Sequence, residues 1–119
     1  MSKKLSFRRF EIWIANLEPG NFSEAGKIRP VVIVQSDLLN ESNHNSTIIC
    51  PISSQERYFK GKLRVYIQAS IENGLIKDSY ILSDQIRSID TSRLMEKVGF
   101  MDPITSEKLL AGIKISLDF

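Results

Sequence analysis

Val31-Val32-Ile33-Val34 follows Arg29-Pro30 without a polar break, and this run constrains the fold more than any other segment. Four β-branched residues in a row cannot alternate between a wet face and a dry one. The run predicts a short strand over residues 31–35, apolar on both faces and central in a sheet. Glu24-Ala25-Gly26-Lys27-Ile28 leads into it, so Arg29 stands at the strand mouth and is expected outside the core. A second apolar strand, 47–52, ends in Cys50-Pro51-Ile52-Ser53-Ser54-Gln55. Pro51 is expected at an edge or a bulge, because proline donates nothing to a ladder. An arginine and hydroxyls at the ends of two successive core strands can face one another across a small sheet. That pairing suits a phosphate.

The flanking segments are shorter and more polar. Residues 10–17 read as a half-buried strand, with Phe10, Ile12 and Ile14 on one face and Glu11, Trp13 and Ala15 on the other. Partial burial is the default for Trp13. Residues 36–46 form an Asn-rich loop with a helical turn around Asp37-Leu38-Leu39. Leu63, Val65 and Ile67 alternate as a further strand, and Glu72-Asn73-Gly74-Leu75 is a turn. Short extended runs at 79–83 and 86–89 flank Asp84-Gln85. Asp90 caps one or two helical turns reaching Glu96, and 98–101 return as a strand. Asp102-Pro103 opens a terminal helix with Leu110, Ile113 and Leu117 on one face. Residues 1–9 read as a flexible arm. The 119 residues make one mainly β domain with a C-terminal helix, a small, closed or partly closed barrel.

Several function classes fall away on residue counts. One cysteine allows no internal disulfide and fits a reducing, cytoplasmic setting, and one histidine with one cysteine cannot make a zinc site. The basic start lacks the apolar stretch of a signal peptide, and no apolar run is long enough to span a bilayer. A net charge of +2 permits a nucleic-acid binder only where the basic residues share a face. Arg57, Lys60, Lys62 and Arg64, with Tyr58 and Phe59 between them, offer such a face. Cations on phosphates and rings on bases are how single strands are gripped. The same residues also suit a solvated hairpin whose rings close the end of the barrel.

Taken in order, these pieces resemble the MazF/PemK/Kid toxins of bacterial toxin–antitoxin pairs. The matching residues are Glu11-Ile12-Trp13, Ser23-Glu24 with Gly26, Arg29-Pro30 with the four apolar residues after it, Pro51-Ile52-Ser53-Ser54, and Asp84-Gln85-Ile86-Arg87-Ser88-Ile89-Asp90. The resemblance implies an SH3-like β-barrel with a C-terminal helix, a homodimer, and a cognate antitoxin laid across its RNA groove. It implies a metal-independent endoribonuclease, an mRNA interferase without cofactor or membrane, that cuts single-stranded RNA to 2′,3′-cyclic phosphate and 5′-hydroxyl ends. The catalytic pair of the family falls on Arg29 and Ser53, with Glu24 near the RNA and Asp84 matching a residue implicated in some members. Phe22 stands where the family commonly has glycine, and its ring can shift the loop or stack on a base. Ser53 stands where threonine is more usual.

Each of these residues also has a structural reading. Arg29 suits charge stabilisation at a phosphate, being planar and permanently charged, or it fastens a loop through Glu24. Ser53 donates to a phosphate oxygen or closes a turn on its own backbone, and Ser54 is its substitute if the register slips by one. Glu24 and Asp84 are the general-base candidates, or loop and turn carboxylates. Phe22, Lys27, Ser54, Gln55, Arg57, Tyr58, Lys60 and Lys62 are the expected RNA contacts, on loops 18–27 and 53–61 flanking the groove. Two other readings remain: a toxin of the same barrel that works by binding a protein, as a topoisomerase poison does through an apolar helix tip, and a barrel that binds RNA without cutting it.

Overall fold

Each apolar run of the sequence becomes a strand of one antiparallel sheet. The computed structural model describes residues 6–18, 27–55 and 64–119. Its strands are β1 (Glu11–Asn16), β2 (Ile28–Ile33), β3 (Ser46–Ser53), β4 (Val65–Ile67), β5 (Ser79–Ile81), β6 (Arg87–Asp90) and β7 (Leu94–Phe100). The helices are α1 (Asp37–Asn40) and α2 (Pro103–Leu117). The strand order is β4-β5-β3-β2-β1-β7, with β6 paired to β3 off this path. The path is barrel-like and does not close among the described residues.

β3 is the organising strand, and Pro51 explains how. Residues 46–49 of β3 pair with β6, whereas Ile52 and Ser53 pair with β5. Pro51 lies between the two partners, where its missing N–H costs no ladder bond. It is fully buried rather than at an edge, and its carbonyl accepts from the N–H of Leu82 at 2.8 Å.

The double-sided burial expected of the Val31 run is realised by register. Ile12, Val32 and Cys50 align across β1, β2 and β3, in a core completed by Leu109 and Ile113 of α2. On the opposite face Trp13 and Val31 align, joined by Ile33, Ile49, Ile89 and Leu94. Trp13 is therefore core, not a half-exposed ring. β1 has β2 on one edge and β7 on the other, and its second face is covered by the cluster that includes Phe7, Ile89 and Leu94.

Three further expectations change. Residues 6–9 do not form a loose arm. Phe7 is buried beside Trp13, the Arg9 N–H donates to Asp37 Oδ1 at 2.7 Å, and the Arg9 Nε–H donates to the carbonyl of Val34. The helical stretch after Asp90 is a single 3-10 turn at Thr91–Arg93, capped by the Asp90 carboxylate, after which β7 starts at once. α2 is capped by Asp102, which accepts from the Thr105 N–H at 2.8 Å. It buries Ser106, Leu109, Gly112 and Ile113, and leaves Leu117 exposed.

Candidate active site

The chain enters β2 through Lys27, an exposed residue at φ +69° whose carbonyl accepts from the Leu17 N–H at 2.9 Å. That left-handed step sets the direction of the strand. Two residues later Arg29 sits opposite Ala15 of β1. Arg29 is only 7% exposed, so it lies inside the sheet margin rather than outside the core as expected.

The β2–β3 ladder pairs Val31 with Pro51 and Val32 with Cys50. The paired stretch ends at Val31 and Pro51, and Arg29 on β2 and Ser53, the last residue of β3, each lie two residues beyond it, Ser53 being paired with Tyr80 of β5. Ser53 is buried, and its Oγ accepts from the Gln55 N–H at 3.1 Å. The local turn foreseen as its structural role is thus present. A hydroxyl that accepts one bond still has a proton to donate.

Beside this strand end lies a cavity of ≈ 450 Å³. Arg29 and Ser54 line it, with apolar walls from Ile14, Pro30, Ile52 and Leu75. Ser53 points to the other face of β3 and does not line it. By the same alternation Arg29 shares the face of Ser53, while Pro30, Ile52 and Ser54 turn toward the cavity that Arg29 borders.

Asp84 is elsewhere engaged. It sits in the 3-10 turn Ser83–Gln85, and Arg64 grips both of its oxygens, Nε to Oδ1 at 3.2 Å and Nη2 to Oδ2 at 3.0 Å. This fork is a bidentate pair of the strongest geometry an arginine offers. Arg64, read from sequence as part of a basic surface, thus fixes the 3-10 turn. Cys50 lies buried in β3, where burial, with the Asp84 charge behind it, pushes its thiol up to about 12. It is no nucleophile at neutral pH.

Phe22, Glu24, Arg57, Tyr58, Lys60 and Lys62 lie outside the described residues, as do most of the two loops expected to flank a groove. His44 is exposed, next to Ser42 at 3.4 Å. Among the described residues no group of three or more His, Cys, Asp or Glu side chains could hold a metal ion. No described helix is long and apolar enough to cross a membrane. Sequence reasoning missed the far wall of the cavity, formed by Gly74, Leu75, Ile76, Lys77 and Ser79. The Asn73-Gly74 pair announced a turn but not what it would face.

Comparison with known proteins places these features in a wider group. A family model described as PemK-like, MazF-like toxin of type II toxin–antitoxin system matches residues 8–117. Endoribonuclease EndoA of Bacillus subtilis is 33% identical over 111 residues, spanning 92% of this chain and 93% of that protein. Endoribonuclease MazF of Staphylococcus saprophyticus is 37% identical over 110 residues, spanning 92% and 90%. In fold, the chain resembles MazF from Deinococcus radiodurans with a TM-score of 0.81 at 20% identity, covering 98% of this chain and 100% of that one. It also resembles a mycobacterial endoribonuclease solved in complex with its cognate antitoxin, with a TM-score of 0.74 at 16% identity, covering 96% and 95%.

Proposed function

The chain belongs to the PemK-like, MazF-like toxins of type II toxin–antitoxin systems, and from that premise we propose that it is an endoribonuclease cutting single-stranded RNA at preferred sequences without a metal. The ribose 2′-hydroxyl supplies the nucleophile. Its oxygen forms a bond to the adjacent phosphorus while the bond from phosphorus to the 5′-oxygen breaks. One proton leaves the 2′-oxygen and one reaches the departing 5′-oxygen. The products are a 2′,3′-cyclic phosphate and a 5′-hydroxyl.

The protein's task is to hold the backbone in line and to neutralise charge growing on the phosphoryl oxygens. Arg29 does the second, with a planar fork matched to two phosphate oxygens. Ser53 donates its hydroxyl proton to the same group. Glu24 is the proton acceptor suggested by its place in the family pattern. Asp84 acts through Arg64, holding the turn beside the end of β3, rather than as a base.

The observation that carries this reading is the place of Arg29, a buried arginine in β2 that shares a face with Ser53 at the end of β3 and borders a cavity. The natural partners are single-stranded RNA and a cognate antitoxin that masks the same cations, and the working unit is a homodimer. The protein-binding alternative draws on one feature, the exposed Leu117 and Phe119 at the end of α2. Incubating purified protein with a long single-stranded RNA in EDTA separates the readings. Discrete cuts are expected. Retention of RNA without cuts indicates a binding protein, and neither outcome indicates the protein-directed toxin.

A further inference from the structure

The cavity beside Arg29 has a second wall that the cleavage reaction does not use. Gly74, Leu75, Ile76, Lys77 and Ser79 form it, and the turn from which it starts is held in place. Asn73 is buried; its Oδ1 accepts from the N–H groups of Ser70 and Leu75, both at 3.0 Å, and its Nδ2 donates to the Gln68 carbonyl at 2.8 Å. Gly74 adopts φ +69°, and a Cβ there would lie 2.1 Å from the Val98 carbonyl oxygen. The Phe100 N–H donates to the Glu72 carbonyl at 2.9 Å, tying the turn to β7. A wall fixed in this way is set before any ligand arrives, which lowers the cost of binding.

Its chemistry is one-sided. The cavity has apolar walls, hydroxyls from Ser54 and Ser79, and two cations, Arg29 and Lys77, with no carboxylate among the described lining residues. The neighbouring acid, Asp78, is turned away. Its Oδ1 accepts from the Ala69 N–H at 2.8 Å and its Oδ2 from the Tyr66 hydroxyl at 3.0 Å. Ile76 is 94% exposed at the mouth, an apolar platform that none of the described residues covers. A volume of ≈ 450 Å³ lies within the range of about 300 to 1,000 Å³ that small-molecule sites occupy.

We propose that this cavity takes the nucleobase next to the scissile phosphate, and that Lys77 reads that base. The inference rests on the ribonuclease reading above. Arg29 borders the cavity as well, so a phosphate held at Arg29 brings the attached nucleotide to its rim. Apolar walls and the Ile76 platform suit a flat ring. An ammonium only donates, so Lys77 favours bases that present carbonyl acceptors, guanine and uracil, over the amino edges of adenine and cytosine.

The test is the distribution of cut sites on a long RNA for the wild type, Lys77→Gln and Lys77→Glu. Lys77 is exposed, so both variants keep the fold. The wild type should prefer guanine or uracil at one position beside the cut. Lys77→Gln should relax that preference about tenfold, and Lys77→Glu should turn it toward cytosine or adenine, whose amino groups donate to a carboxylate. Because the readout is a ratio between sequences, a general loss of RNA affinity does not move it. Wild-type cuts with the same pattern in both variants overturn this inference alone, whether the rates fall uniformly, as a phosphate contact requires, or the oligomeric state changes. Absence of any wild-type cut overturns the ribonuclease reading and this inference with it.

Discussion

Arg29 faces Ala15 directly across the β1–β2 ladder, so the residue opposite this buried arginine on β1 carries only a methyl side chain. A small residue there leaves the arginine stem room to lie along the sheet margin. Ala15→Val fills that room without touching RNA. Overpacking of this kind costs about 1 to 3 kcal/mol of stability. Displacing a catalytic group by about 1 Å can cost 10²-fold in rate. Single-turnover cleavage at saturating RNA should therefore fall about a hundredfold in a protein that still unfolds cooperatively in urea. An unchanged rate would show that the position of Arg29 does not depend on this neighbour.

The fork between Arg64 and Asp84 separates two roles for the acid. A general base would be lost in Asp84→Asn and kept in Arg64→Ala. An acid acting through its arginine would be affected in both. The expected outcome is equal loss of cleavage in the two single variants, with no further loss in the double variant, measured as a double-mutant cycle. A much deeper loss in Asp84→Asn would return Asp84 to proton transfer.

Phe7 tests whether the segment before β1 belongs to the core. Phe7→Ala removes a ring packed beside Trp13 and should cost about 3 to 5 kcal/mol in urea unfolding. A flexible arm would lose nothing.

Cys50 gives a pH signature. Its folded thiol is pushed up to about 12, while in the unfolded chain a thiol ionises near about 8.5. The raised value means that its contribution to stability is constant below the unfolded value and falls as pH rises above it. Each pH unit in that window should cost about 1 kcal/mol more in the wild type than in Cys50→Ala. Urea midpoints at pH 8, 9 and 10 for both proteins measure the difference, and parallel curves would contradict the burial.

What could be read from the chain followed from local pattern. Val31 to Val34 had no wet face, so a doubly buried strand was the one arrangement open to them, and Asp102-Pro103 started a helix by capping chemistry alone. The burial of Trp13 is not legible in the alternation of β1, which assumes one solvent face, because Phe7, Ile89 and Leu94 pack on the other side of the strand. The buried stripe of α2 includes Ser106 and Gly112, which no apolar count selects, while Leu117, the last residue of the helix, is exposed. At the site, Arg29 and Ser53 were legible because each ends an apolar run. The grip of Arg64 on Asp84 and the cavity that Lys77 and Arg29 both line were not, since both join segments distant in sequence whose polar residues give no periodic signal.

The most direct measurement is the chemistry of the RNA ends produced in EDTA by the wild type and by Arg29→Lys. Wild-type fragments should accept a 5′-phosphate from polynucleotide kinase without prior phosphatase treatment, and should carry 2′,3′-cyclic phosphates. Arg29→Lys keeps the charge but loses the bidentate fork, and should cut about 10² to 10³ times more slowly with the same ends. Fragments with 5′-phosphates, cutting only when a divalent metal is added, or an undiminished rate in Arg29→Lys would contradict the account.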